Sequence, residues 1–112
     1  MNPGENTNTL NQPTTITDTG NEAIDIYLYG INMAASSYSI AVGQQEYGTS
    51  SLSYGSGTDL TSSTSTTVEV DLSKPTSHPS TSTDYIYWGL AIPTSTFPGA
   101  YTGTNTFEAK AD

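Results

Sequence analysis

The side chains able to do chemistry are few. His78 is the single histidine, and it stands in the proline-bearing stretch Ser73 to Ser80, which carries no carboxylate. A nucleophile–base relay needs a base held against a nucleophile and oriented by a third group. His78 has neither in its stretch, so a solvated loop histidine is expected. Serine and threonine make up close to a third of the chain, yet no G-x-S-x-G pattern singles one out as a nucleophile. Cysteine is absent, which removes disulfides, thiolate metal ligands and thiol nucleophiles.

Eleven carboxylates remain, and they are dispersed. Glu69 and Asp71 stand two apart, so strand geometry puts them on one face, with Asp25 a candidate opposite them. Neighbouring carboxylates can serve glycoside hydrolysis or bind calcium. No D-x-D-x-D-G loop gathers oxygens around an ion, so these residues are expected to form a solvated acidic face. No catalytic, cofactor-binding or metal-ligating residue is expected, and no cofactor. The only cations are Lys74 and Lys110, against a net charge of −9. Without a basic patch to neutralise phosphates, nucleic acid and anionic membrane surfaces are poor partners. Lys110 has no apolar shell around it in sequence, so no crosslink through its amine is expected.

The elements that must position these groups are strands. Hydrophobic residues are only 33% of 112, but they gather in short alternating runs. In Glu22 to Ile31, Ile24, Ile26 and Leu28 alternate with Asp25, Tyr27 and Tyr29. Period two marks a half-buried strand. The same period runs through Thr66 to Leu72, with Val68, Val70 and Leu72 inward, and through Asp84 to Ile92, with Ile86, Trp88, Leu90 and Ile92 inward. Shorter candidates are Thr14 to Asp18, Ser37 to Val42, Gln45 to Tyr47 and Ser51 to Tyr54. A last strand is expected over Gly99 to Ala109. Gly55 to Thr64 is low in complexity and reads as a loop, as does the stretch from Lys74 to Thr83. About seven or eight strands without significant helix, separated by Gly, Pro and Asn turn signals, predict an all-β antiparallel sandwich. Residues 1–13 read as an extended N-terminal arm and 14–112 as one domain. The expected core is Ile16, Ile24, Ile26, Leu28, Ile40, Val42, Val68, Val70, Leu72, Ile86, Trp88, Leu90, Ile92, Tyr101 and Phe107. No run reaches membrane-spanning length, and no basic, apolar leader is visible at the start.

Both ends of the chain carry motifs. Asn2-Pro3-Gly4 precedes Thr15-Ile16-Thr17-Asp18-Thr19-Gly20-Asn21-Glu22-Ala23-Ile24-Asp25-Ile26. The close reads Trp88-Gly89-Leu90-Ala91-Ile92-Pro93, then Pro98-Gly99-Ala100-Tyr101-Thr102-Gly103 and Phe107-Glu108-Ala109. Together these resemble immunoglobulin-like modules of prokaryotic, particularly archaeal, cell-surface proteins; roughly residues 43 to 83 have no counterpart. The Gly99-Ala100-Tyr101 step resembles a tyrosine corner, in which the hydroxyl ties a loop back on itself. Asn105 departs from the motif, where an apolar residue is usual, which implies a polar edge or a register shift at Gly103. The opening also resembles secreted biofilm-fibre and pilin-type sandwich subunits, in which an N-terminal segment of one subunit pairs into the sheet of the next.

The resemblance implies a non-catalytic structural or adhesive module of a secreted or cell-surface protein, not an enzyme, located outside the cell. Its expected partners are neighbouring modules or subunits of a surface assembly. The alternatives are a subunit of a self-assembling extracellular filament, working through its N-terminal arm, and a carbohydrate-binding module that takes glycans. The candidate interaction surface is Tyr27, Tyr29, Tyr85 and Tyr87, which alternate outward on two strands. Aromatic surface of this type carries interface energy.

Overall fold

The computed structural model describes residues 2–10, 12–64, 66–75 and 81–111. His78 lies outside the described residues. Among the described residues nine strands follow in chain order: β1 (Gln12–Asp18), β2 (Ile24–Gly30), β3 (Met33–Ala35), β4 (Tyr38–Ile40), β5 (Gln45–Gly48), β6 (Thr58–Asp59), β7 (Thr67–Leu72), β8 (Ser82–Leu90) and β9 (Asn105–Ala111). The only helical element among the described residues is the 3-10 turn Val42–Gln44. The chain is thus an all-β protein of antiparallel sheets. One sheet runs β1-β8-β5-β6, a second runs β7-β2-β9, and β3 with β4 forms a separate hairpin.

The layered architecture follows from the alternation. Ile26 and Leu28 of β2, Val68, Val70 and Leu72 of β7, and Ile86 of β8 are buried in one cluster, with Ile16, Ile24, Trp88 and Phe107 packed against it. Trp88 joins the layers. Its ring meets Phe107 of the opposite sheet edge-on at 6.0 Å, and its Nε1–H donates to Thr14 Oγ1 at 2.9 Å. The half-buried indole is therefore packed and hydrogen-bonded at once.

Several sequence expectations shift. The immunoglobulin order places the last strand beside the penultimate one; here β9 lies against β2, and β8 against β1. The chain shares the two-layer architecture and not that pairing. Ser51 to Tyr54 forms no strand, and Ser37 to Val42 is only the second arm of the β3–β4 hairpin. The expected loop Gly55 to Thr64 contains β6 and the buried Leu60, whose N–H donates to the Gln45 carbonyl at 2.9 Å. Leu60 is 1% exposed, and burying such a side chain contributes about 2 kcal/mol. Its room comes from Gly30: a Cβ there would stand 2.7 Å from Leu60 Cδ2 and 2.5 Å from Asn105 Oδ1. Tyr47 also joins the core. The last strand begins at Asn105 rather than Gly99, and Asn105 is satisfied by donating Nδ2–H to Gln45 Oε1 at 2.9 Å.

The N-terminal arm is not loose. Gly4 N–H donates to the Ile92 carbonyl (2.7 Å), Ile92 N–H to Glu5 (2.9 Å), and Thr7 N–H to Leu90 (2.9 Å). The arm therefore continues the line of β1 along β8. At its tip the Asn2 N–H donates to the Glu5 carboxylate, which holds Glu5 below the usual carboxylate range.

Candidate functional site

The outer face of β7-β2-β9 concentrates ionisable groups at one irregularity. β2 pairs Ile24 with Leu72 and Ile26 with Val68, so Asp25 alone faces Glu69, Val70 and Asp71. Val70 turns inward and is buried; Glu69 and Asp71 stay exposed on the outside. The extra length is absorbed by a bulge, with Asp71 at φ +49°, a left-handed conformation that aspartate tolerates better than most residues. The bulge turns the Asp71 N–H onto Asp25 Oδ1 at 2.9 Å.

Asp25 is therefore 1% exposed although its side chain points away from the core. Carboxylate oxygens of Asp25, Glu69 and Asp71 lie within 4.8 Å of one another. The Glu69 carboxyl is pushed above its ordinary range, first by its hydrogen bond to Asp25, then by the negative charges of Asp25 and Asp71, with Lys110 opposing. On the other side of Asp25, β9 places Lys110 directly across the ladder. Lys110 is half-buried, and its Nζ sits 5.8 Å from the centre of the Tyr27 ring. The carboxylates are thus engaged with a backbone amide and with one another, and no metal is assigned to them. The solvated acidic face expected from sequence is corrected at Asp25, which is enclosed.

The opposite outer face also buries a carboxylate. Glu46 of β5 is 2% exposed. Its Oε1 accepts the N–H groups of Gly55 (2.6 Å) and Gly57 (3.3 Å), which pins the Ser/Gly-rich loop after β5 onto the sheet. Leu52 of that loop fills the space left by Gly48, Gly57 and Gly89: a Cβ on any of them would come within 3.0 to 3.3 Å of its side chain.

The four tyrosines named from sequence divide between these faces. Tyr27 and Tyr29 are half-buried on β2, beside the Asp25 cluster. On β8, Tyr85 is 42% exposed and Tyr87 is half-buried. The Tyr85 and Tyr87 ring centres are 6.2 Å apart and tilted by 50°, so they do not present one flat platform.

A third aromatic feature was not among the candidate sites. At one end of the sandwich, Tyr38 and Phe97 stack at 4.3 Å while remaining 43% and 55% exposed. Tyr101 O–H donates to the Phe97 carbonyl at 2.7 Å, the loop tie that the Pro-Gly-Ala-Tyr motif implied. Beside them lies a groove of about 410 Å³ whose lining includes Met33, Ile92, Tyr101 and the arm residues Asn2 and Pro3.

Fold and site together define an all-β antiparallel sandwich domain with an acidic cluster on one face and aromatic surface on the other face and at one end. Comparison with protein-family models, with curated proteins and with solved structures returned no match. Among the described residues, no helix is long and apolar enough to cross a membrane.

Proposed function

We propose that this chain is a non-catalytic structural or adhesive module of a secreted or cell-surface protein, acting through contacts with neighbouring modules or subunits. The observation that carries this reading is aromatic side chains held at the surface by the fold itself: Tyr85 beside Tyr87 on one face, and the exposed Tyr38–Phe97 stack at the end. Rigid aromatic surface gives contact area at low entropic cost, and it is enriched where proteins meet. The net charge of −9 keeps such a surface soluble between contacts. Antibody labelling of intact against permeabilised source cells tests the location; signal only after permeabilisation overturns it. Paired Tyr85→Ser and Phe97→Ser changes should abolish self-association or cell attachment without altering the β-rich circular dichroism.

A specific observation also favours the filament reading. The arm is bonded as a strand to Leu90–Ile92, and a strand held mainly by backbone bonds can be exchanged for the same strand of a second copy. Sedimentation at high concentration and electron microscopy separate the readings: a persistent monomer excludes the filament. The carbohydrate-binding alternative gains little from rings tilted by 50°, and a glycan array decides it.

A further inference from the structure

Among the described residues the two larger sheets have four edge strands, and three of them are poor at accepting another strand. β6 is two residues long. β7 is bulged at Asp71 and carries exposed carboxylates at Glu69 and Asp71. β1 contains Pro13, which offers no N–H. Short, bulged, charged and proline-bearing edges resist pairing. β9 is the exception. It runs seven residues in unbroken register with β2, without proline, and no described strand pairs with its other side. Its outer face carries Glu108, opposite Tyr27, and Lys110, opposite Asp25. Beside this edge the sandwich is open: a groove of about 470 Å³ reaches from β1 to β9, with Thr14, Trp88, Leu90, Asn105 and Phe107 in its lining.

We propose that β9 is the edge by which two copies of this chain pair, antiparallel about a two-fold axis at Ala109, into one continuous sheet β7-β2-β9-β9-β2-β7. Glu108 of each copy then faces Lys110 of the other, and Phe107 faces Ala111. Directly opposite residues share a face, so two ion pairs form on the outer side. The two-fold axis makes the contact self-complementary and closed. Charge selects a second copy as the occupant and fixes its register. At a net charge of −9, two copies repel at most contacts. Lys74 and Lys110 are the only lysines and arginine is absent, so β9 is the described strand on which a cation and an anion stand two apart on one face. Moving the axis to Glu108 or to Lys110 would set like charge against like, which is destabilising. The neighbouring sheet lies alongside the open groove and covers the edges of Trp88 and Phe107 in both copies. The pair rests on the reading that this chain works through contacts with neighbours, and it names one such neighbour, joined by a strand edge rather than by the aromatic surfaces.

Sedimentation velocity of the full chain should show a species of twice the chain mass as concentration rises. Glu108→Lys and Lys110→Glu each set like charges together in both pairs. Each variant, folded by circular dichroism, should raise the dimer dissociation constant about tenfold or more. Mixed in equal amounts, the two variants have complementary charges at both positions, so a mixed dimer should return. The chain has no cysteine, so Ala109→Cys gives a second reading that needs neither charge variant. Its thiols face one another across the axis, and mild oxidation should link the copies, whereas Ala111→Cys should link poorly. A chain that stays monomeric at about 1 mM overturns the proposal, as does a dimer that withstands both charge changes or a mixture that fails to pair. Tyr85→Ser with Phe97→Ser should leave the pair intact and remove only association beyond it. A pair lost with those rings moves the interface to the aromatic surface, which overturns the β9 edge and leaves the surface-module reading standing.

Discussion

Asp25 and Glu46 occupy matching situations on opposite faces of the sandwich and end differently. Each is an acidic residue at an outward strand position, and each is almost wholly buried. Burial of a carboxylate is costly unless its charge is met. Glu46 is met by two backbone N–H groups of a folded-over loop. Those donors cannot titrate or react, so Glu46 is an anchor. Asp25 is met by one backbone N–H and by the Glu69 carboxyl, which is itself pushed above its ordinary range, and its ladder partner on β9 is Lys110. The same degree of burial thus produces a bracket of fixed backbone donors on one face and a cluster of interacting carboxyls on the other. Partner chemistry decides which.

The largest expected effect lies at Asp25. Asp25→Ala removes an enclosed side chain and leaves the Asp71 N–H without its acceptor, so denaturant unfolding should show a loss of about 3 kcal/mol. A loss under about 1 kcal/mol would mean that the bulge holds without Asp25 and would end the contrast with Glu46. Glu46→Ala comes next. It leaves the Gly55 and Gly57 amides without their acceptor and should cost about 2 kcal/mol, with limited proteolysis cutting between residues 49 and 57. Glu46→Gln retains an oxygen acceptor and should recover most of that protection. A loop that stays protected in Glu46→Ala would assign the anchoring to Leu52 instead.

What could be read beforehand follows from what a period can encode. β2, β7 and β8 were legible because one face is apolar and the other polar, and a period of two reports that directly. Leu60 was not, because a lone leucine in a Ser/Thr run has no period; its burial depends on Gly30 leaving room from another strand. Of the β3–β4 hairpin only the second arm falls in an expected strand, Ser37 to Val42; the three-residue β3 gives too short a run to show a period, and its turn uses Ser36 at φ +57°, a residue that announces no such conformation. Asp25, Glu69 and Asp71 were named together as face neighbours, since strand parity places them so. The enclosure of Asp25 was hidden, because a bulge shifts register without altering the alternation around it. Lys110 stayed unconnected for a different reason. Its partner is set by β9 pairing with β2, a choice of topology that the resemblance to immunoglobulin-like modules would have made otherwise.

The smallest effect tests the anchor face by itself. Tyr54 is pushed above the usual phenol range first by burial, then by the negative charges of Glu46 and Asp59. Tyr47 is pushed up by burial alone. Because both folded values exceed the unfolded one, their contribution to stability is fully present below about pH 10. It is lost as pH rises through the raised values. Ultraviolet titration should therefore show Tyr47 and Tyr54 ionising above the usual phenol range, with stability falling across that alkaline window. In Glu46→Gln, Tyr54 should ionise earlier while Tyr47 stays in place, since only Tyr54 feels the removed charge. If both move together, the loop has loosened and exposed them, and Glu46 holds the face by its charge rather than by its capacity to accept hydrogen bonds. If neither moves, the Glu46 charge is spent on the Gly55 and Gly57 amides, which is the limit of an anchor whose partners cannot react.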